Sequence, residues 1–236
     1  MRISGLQKMT LLDFPGKVAC TVFLQGCNFR CPFCHNSGLL DGAADDEITV
    51  DELLGFLKKR QGLLDGVCVS GGEPTLQPDL ADLLRAIKDL GFAVKLDTNG
   101  SRPAVLKQLV ADGLVDYVAM DVKNAPSAYG VTIGVVDPDL SAVEDSLAFL
   151  LSRAVPYELR TTVAAELHTP DLMEELGAWL CRLSPDKKTV RYFLQPYVDR
   201  DSVLETGLHA PDDATLNALL ARVSPFVENA SVRGSE

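Results

Sequence analysis

The chain has 236 residues, 47% hydrophobic and 23% charged, with 33 acids against 22 Lys and Arg, a net charge of −11. This balance excludes a disordered or fibrous chain and supplies no basic footprint for nucleic acid or an anionic membrane. No apolar run approaches the roughly 18 residues of a membrane span, and a chain this long buries roughly 70–75% of its unfolded surface, so it needs no disulfides to fold.

In chain order, the first sixteen residues carry no apolar h-region and no cleavage site. No secretion signal is expected, and the cytoplasm is the expected location. Residues 1–17 read as a small hairpin with Asp13-Phe14-Pro15-Gly16 as its turn. Six β-rich runs follow, at 18–25, 66–70, 93–98, 117–122, 158–163 and 190–197. Their cores are almost continuously apolar, as parallel strands covered on both faces require. Helical patterns fill the intervals. A capping box at Thr49–Glu52 opens the first. Pro78-Asp79 opens the second, with Leu80, Leu83, Leu84 and Ile87 on one face and Gly91 as its stop. Pro103 opens the third, stopped by Gly113. Leu140, Val143, Leu147 and Leu150 form a fourth stripe, Thr169-Pro170 caps a fifth helix, and Pro211-Asp212 opens a sixth.

Six βα repeats imply an α/β fold with a parallel sheet and right-handed crossovers. Six are too few for the eight of a closed TIM barrel, which leaves a partial (β/α)6 barrel or a doubly wound sheet. No linker or composition shift divides the chain, so one domain over 1–236 is expected: the hairpin over 1–17 and the βα units over 18–236. In such folds the active site lies at the carboxyl ends of the strands. The unusual residues cluster there: Cys27 to Asn36, Ser70-Gly71-Gly72-Glu73-Pro74, Asp97-Thr98-Asn99-Gly100, Asp121-Val122-Lys123, Arg160-Thr161-Thr162 and Gln195-Pro196-Tyr197.

Of six cysteines, Cys27, Cys31 and Cys34 fall within eight residues. Cys20, Cys68 and Cys181 are dispersed in apolar or amphipathic patterns and read as buried small hydrophobes. Three soft thiolates in one loop suit an iron–sulfur cluster, zinc or Cu(I). A structural zinc wants four ligands, and the neighbouring His35 adjoins Cys34 too closely to serve easily as the fourth. A 4Fe–4S cube with one iron open fits the spacing, with zinc and coincidence as the competing readings.

Cys-x3-Cys-x2-Cys after a first strand, with Phe33 before the last Cys, resembles the radical S-adenosylmethionine (SAM) superfamily. Gly71-Gly72-Glu73-Pro74 after the second strand resembles that family's second motif. Cys27–Asn36, Asp97–Gly100 and Asp121–Lys123 are similar to the glycyl-radical-enzyme activators. Gly5-Leu6-Gln7-Lys8 with Leu12–Lys17 resembles the anaerobic ribonucleoside-triphosphate reductase activating proteins. The resemblance covers nearly the whole chain and implies an incomplete TIM barrel and a radical SAM oxidoreductase. It implies Cys27, Cys31 and Cys34 as ligands of a 4Fe–4S cluster, with SAM chelating the open iron. The implied partners are a glycyl radical enzyme as protein substrate and a flavodoxin- or ferredoxin-type electron donor.

On this resemblance Gly71 and Gly72 let backbone approach the SAM amino group, and Glu73 sets a carboxylate near it. Asp97 and Asp121 accept hydrogen bonds from the ammonium or ribose, with Asn99 in the same group. Lys123 and Arg160 pair with the SAM carboxylate, and Phe33 packs on the adenine. Two alternatives concern the same residues. Asp97, Thr98 and Asp121 form a hard-oxygen pocket for a monovalent cation, or an internal Asp–Lys pair anchors the strand ends. Pyruvate formate-lyase activators place a His where this chain has Val198, so Arg160 or Gln195 is expected to substitute. The rival functions are pyruvate formate-lyase activation, a radical SAM enzyme acting on a small molecule in the manner of deazaguanine synthase, and a non-catalytic iron–sulfur or zinc module.

Overall fold

Strand and helix alternate along the backbone of the computed structural model much as the sequence expects. The structure describes residues 2–40, 48–184, 186, 188–200 and 202–233; Met1, the first residue of the expected hairpin, lies outside them. The strands are β1 (Ile3–Thr10), β2 (Ala19–Leu24), β3 (Gly66–Gly71), β4 (Ala93–Thr98), β5 (Tyr117–Asp121), β6 (Tyr157–Val163), β7 (Arg191–Pro196) and β8 (Asn229–Val232). The helices are α1 (Val50–Lys58), α2 (Leu80–Asp89), α3 (Pro103–Ala111), α4 (Tyr129–Ile133), α5 (Ser141–Leu151), α6 (Pro170–Leu183) and α7 (Asp213–Val223). The strand order runs β1 to β8 in sequence, with β1 and β8 as the two edges, so the sheet is not closed into a barrel.

The residues group into two compact units. One comprises Met1–Asn28, Gly38–Thr98 and Arg102–Ala119; the other comprises Phe29–Ser37, Asn99–Ser101 and Met120–Glu236. In the first, β2, β3 and β4 are parallel and in continuous register, Thr21 opposite Cys68 and Cys68 opposite Lys95. Val22, Leu24, Val67, Val69, Val94 and Leu96 are fully buried, which is why these strands read as continuous apolar runs. Helix α1 starts where Thr49 accepts from the Glu52 N–H while Glu52 accepts from the Thr49 N–H. Such a box is worth about 1 kcal/mol. Helix α2 buries Leu80, Leu83, Leu84 and Ile87, the stripe expected from its spacing.

In the second unit β6, β7 and β8 are parallel. Helix α6 buries Met173, Leu176 and Leu180 and is capped by Thr169. A Cβ on its Gly177 would stand 3.0 Å from the Phe226 ring, so this glycine lets the segment after α7 pack closely.

Three expectations change. A short helix beyond the six expected, α4, stands between β5 and the Leu140–Leu150 stripe. The hairpin is not contained within residues 1–17: β1 pairs antiparallel with β2 itself, Leu6 opposite Val22, so the second arm is the first strand of the sheet. The turn stands where expected, with the Lys17 N–H on the Phe14 carbonyl at 3.1 Å and Gly16 at φ +72°. The six parallel strands also gain a seventh, β8, whose sequence Asn-Ala-Ser-Val is short, half polar and only partly buried. An edge strand of this kind has no apolar run to read.

Candidate active site

The motifs stand at or just after the carboxyl ends of their strands, with Asp97, Asp121 and Gln195 among the last residues of β4, β5 and β7, whereas Arg160 stands in the middle of β6 opposite Phe193. In the first unit the chain leaves β2 at Leu24 and β3 at Gly71, and the two departing segments are bound backbone to backbone. The Gly72 N–H donates to the Leu24 carbonyl at 2.9 Å and the Glu73 N–H to the Gly26 carbonyl at 2.8 Å. A Cβ on Gly72 would lie 2.1 Å from the Gly26 oxygen and 3.2 Å from the Cys27 nitrogen. One on Gly71, at φ +116°, would lie 2.3 Å from the Leu24 oxygen. The sequence suggested that these glycines open a path for a ligand. In the structure they let the two strand exits touch, since no side chain fits between them.

Glu73 is 1% exposed. Its Oε1 accepts from the Thr75 N–H at 3.1 Å, from the Thr75 hydroxyl, and from the Thr98 hydroxyl at 2.8 Å, capping the single helical turn at Pro74–Leu76. On the neighbouring strands Asp97 accepts from Lys95 Nζ through Oδ1 and from the Ser70 hydroxyl through Oδ2 at 3.1 Å. Cys27 is partly exposed and uncrosslinked.

In the second unit the segment Phe29–Ser37 is tied at intervals: the Arg30 N–H to the Ile133 carbonyl, the Glu205 N–H to the Pro32 carbonyl, and the Ser37 hydroxyl to the Ser202 carbonyl. His35 stacks on Tyr197 with ring centres 5.6 Å apart, and its Nε2 donates to the Val198 carbonyl at 2.6 Å. Cys31 is buried and Cys34 partly exposed, both uncrosslinked. Phe33 is buried, 6.5 Å from the His168 ring and 5.8 Å from the Lys123 ammonium.

The same unit holds a chain of alternating charges. Asp121 bridges Lys123, at 2.9 Å, and Arg160, at 2.9 and 3.0 Å. Arg160 reaches Glu158 at 4.0 Å, and Arg233 forks onto both Glu158 oxygens at 2.8 and 2.7 Å. Burial by itself would push the Asp121 carboxyl up, but Arg160 and Lys123 outweigh it and hold the group well below the usual carboxylate range. Burial pulls the Lys123 ammonium down, and the charges of Asp121 and Cys31 overcome it, leaving the group raised. His168 is buried and lowered by burial; its Nε2 donates to the Lys123 carbonyl at 3.0 Å, and its Nδ1 accepts from the Ala164 N–H. Asn99 closes a turn onto the Ser101 N–H at 2.9 Å, and Gln195 is half-buried on β7 opposite Thr162.

Lys123 is thus engaged by Asp121, the internal Asp–Lys pair that the sequence leaves open as an alternative, and Arg160 joins it. The sequence did not point to three of the residues found here. Lys95 is hidden in an apolar strand, Glu158 has no motif around it, and His35 was weighed only as a zinc ligand. His35 reaches the backbone of Val198, the position at which pyruvate formate-lyase activators carry a histidine.

Among the dispersed cysteines, burial pushes the Cys20 thiol up to about 11, so it stays protonated at neutral pH. Cys68 is fully buried, while Cys181 is only partly so, less than its pattern predicted. Among the described residues no three His, Cys, Asp or Glu side chains are drawn together as a metal ion alone would require. By donor chemistry, three uncrosslinked thiols within eight residues fit a soft, sulfur-rich group. No helix of the described residues is long and apolar enough to cross a membrane.

Residues 21–156 match the Radical SAM superfamily. A Methanocaldococcus jannaschii protein named for glycyl-radical enzyme activation is 41% identical, over 98% of this chain and 95% of its own. The pyruvate formate-lyase-activating enzyme of Clostridium pasteurianum is 36% identical over 52% of each chain. A crystallised radical SAM methyltransferase from Sphaerobacter thermophilus superposes with a TM-score of 0.72 at 13% identity, over 95% of this chain and 68% of that one, a likeness of fold. The chain is a member of the radical SAM enzymes, a family built around a 4Fe–4S cluster and SAM, and within it of the glycyl-radical enzyme activating enzymes.

Proposed function

We propose that this chain, acting as one catalytic domain in the cytoplasm, removes a hydrogen atom from a backbone glycine of a partner enzyme, and that the partner is an anaerobic ribonucleoside-triphosphate reductase. The observation that carries the reading is the Cys27-x3-Cys31-x2-Cys34 segment, three uncrosslinked thiols directly after β2. In this proposal the three thiolates hold a 4Fe–4S cluster. When bound and reduced by a flavodoxin- or ferredoxin-type donor, the cluster supplies the electron that splits the SAM sulfonium and so generates the hydrogen acceptor.

The chain's own residues bind and orient. Glu73, pinned by three hydrogen bonds, and Asp97 present fixed carboxylates. Asn99 and Gln195 offer amides, and Phe33 an aromatic face. Asp121 holds Lys123 and Arg160 as one cationic group suited to a carboxylate. Gly71 and Gly72 fix the backbone from which Cys27 departs. The reductase is favoured over other partners by the resemblance of Gly5–Lys8 and Leu12–Lys17; pyruvate formate-lyase is the second reading, favoured by the Clostridium pasteurianum relative.

The test mixes the reconstituted, reduced protein with SAM and each candidate partner under anaerobic conditions. A glycyl-radical EPR doublet in the reductase, with 5′-deoxyadenosine formed in proportion, is the expected result. A doublet only in pyruvate formate-lyase moves the assignment to the second reading. Deoxyadenosine release stimulated by a small metabolite, with no doublet in any partner, refutes the activase. Iron analysis of single Cys→Ala variants checks the ligands: Cys27, Cys31 and Cys34 variants lose the cluster, while Cys20, Cys68 and Cys181 variants keep it.

A further inference from the structure

Lys95 lies in the middle of β4 and is 1% exposed, one of the largest fully buried side chains of the protein. Fully buried lysines are rare because removing an ammonium from water costs several kcal/mol unless it is paired. Alternate residues of a strand share a face, so Lys95 and Asp97 point to the same side of β4. On β3 the same holds for Cys68 and Ser70, and Cys68 stands in register with Lys95. The four side chains form one polar cluster within an apolar sheet. Lys95 Nζ donates to Asp97 Oδ1 and lies 3.7 Å from Cys68 Sγ, while the Ser70 hydroxyl donates to Asp97 Oδ2. The Asp97 side chain retains 16% exposure, so it joins the buried ammonium to the accessible end of the strand.

The hard oxygens of Asp97, Thr98 and Asp121 suggest, from sequence, a bound monovalent cation. The structure puts a different cation on that carboxylate. A free ion on Asp97 would stand within a few ångströms of the Lys95 ammonium, in a poorly solvated place where like charges repel strongly. We infer that Lys95 is the built-in cation of this site, an ammonium tethered to β4 that neutralises and orients Asp97 in place of a free monovalent ion. The inference rests on the proposal that Asp97 faces bound SAM. Lys95 touches no reacting atom in this account; it is a positioning residue acting through Asp97.

The test measures SAM affinity by titration calorimetry on the reconstituted protein in sodium, potassium and choline chloride at equal ionic strength. The wild type is expected to bind SAM with the same Kd, within twofold, in all three salts. Lys95→Met is expected to weaken SAM at least about tenfold in choline chloride, the smallest loss anticipated for one charge-assisted hydrogen bond, and to recover in part with potassium or ammonium. Lys95→Arg should stay closer to wild type. A second readout needs neither cluster nor SAM: the melting temperature of Lys95→Ala should rise with ammonium or methylammonium and not with choline, while that of the wild type should not respond.

A wild type that loses SAM binding in choline overturns the inference, whether or not any variant folds. So does a Lys95→Met protein that binds SAM like wild type in choline. A wild type that binds SAM in none of the salts refutes the underlying SAM reading and removes the basis of this one; that result is distinct from a cation requirement.

Discussion

Glu73 and Asp121 are carboxylates at the carboxyl ends of two strands, one in each compact unit, and they are held in opposite ways. Glu73 is buried and accepts from two hydroxyls and a backbone N–H, neutral donors that fix its position. Asp121 lies between two cations and is 31% exposed. The first arrangement uses packing to keep a negative charge in place. The second uses a negative charge to keep two positive ones in place. The character of each end is therefore set by partners as well as by residue type: one acid is held by hydrogen-bond donors, the other by two cations. The glycines sharpen the contrast. The turn leading to Glu73 is fixed by backbone contacts that admit no Cβ, whereas the group around Asp121 is fixed by side chains that a charge-removing substitution releases.

The largest break in that contrast is Gly72→Val. Its Cβ would have to share space with the Gly26 oxygen, so the strand exits must separate and Cys27 must shift with them. Overpacking of this kind costs about 1–3 kcal/mol or more, which lowers the melting point by roughly 2–4 °C per kcal/mol in a chain of this size. The expected outcome is a lower melting temperature and poor iron retention after reconstitution. A variant with wild-type iron content and only weaker SAM binding would show that the glycine serves ligand access alone.

Next is Asp121→Asn. Removing the charge takes from Lys123 and Arg160 the carboxylate they share, while Glu158, 4.0 Å from Arg160, is already held by Arg233. Breaking a fully buried pair costs about 3–5 kcal/mol. The partial exposure here brings the expectation to about 2 kcal/mol, since solvent screens such pairs. Chemical denaturation measures it, and Asp121→Asn combined with Lys123→Met should recover part of the loss. A double variant no more stable than the single would remove the charge-cluster account.

How legible these features were follows from the range of the forces that set them. Strand and helix positions were read because burial imposes its period on neighbouring residues: the α2 stripe at Leu80, Leu83, Leu84 and Ile87 is local information. The Cys segment and the Gly-Gly turn were read from their spacing. Partners were not, because they come from other strands. Nothing near Glu158 in sequence announces Arg233, 75 residues away, and Lys95 sits in a run that any hydropathy pattern assigns to a plain buried strand. β8 escaped because an edge strand needs only four residues, here one exposed and three partly buried, and its hydrogen bonds to β7. The first arm of the hairpin was seen, but its pairing with β2 depended on register, which a single strand does not encode.

Acid titration separates two titrating groups of the second unit. The His168 ring has its pKa lowered on folding by burial, so its stabilisation is complete above its ordinary value and is lost as pH falls below about 6.5. Asp121 is also lowered, held down by Arg160 and Lys123, and its contribution is lost only below about pH 4. Each accounts for at most about 1.4 kcal/mol per pH unit within its window. His168→Gln should flatten the stability profile as pH falls below about 6.5, and Asp121→Asn should flatten it only below about pH 4. A His168→Gln profile parallel to wild type through the upper window would show that the ring titrates without linkage to folding.

The smallest expected effect tests the neutral cage directly. Thr98→Val keeps the shape of the side chain and removes only the hydroxyl that donates to Glu73 at 2.8 Å. The carboxylate retains the Thr75 N–H and hydroxyl, so the loss is one of three donors, about 1 kcal/mol or 2–4 °C in melting temperature. Thr98→Ser, which keeps a hydroxyl, should recover most of the loss. At Asp121 the two cations set the cost instead. Melting curves of Thr98→Val and Thr98→Ser therefore measure how far this hydroxyl holds Glu73. A Thr98→Val protein that melts with the wild type would show that the hydroxyl does not hold the carboxylate, and the contrast with Asp121 would then rest on Thr75 alone.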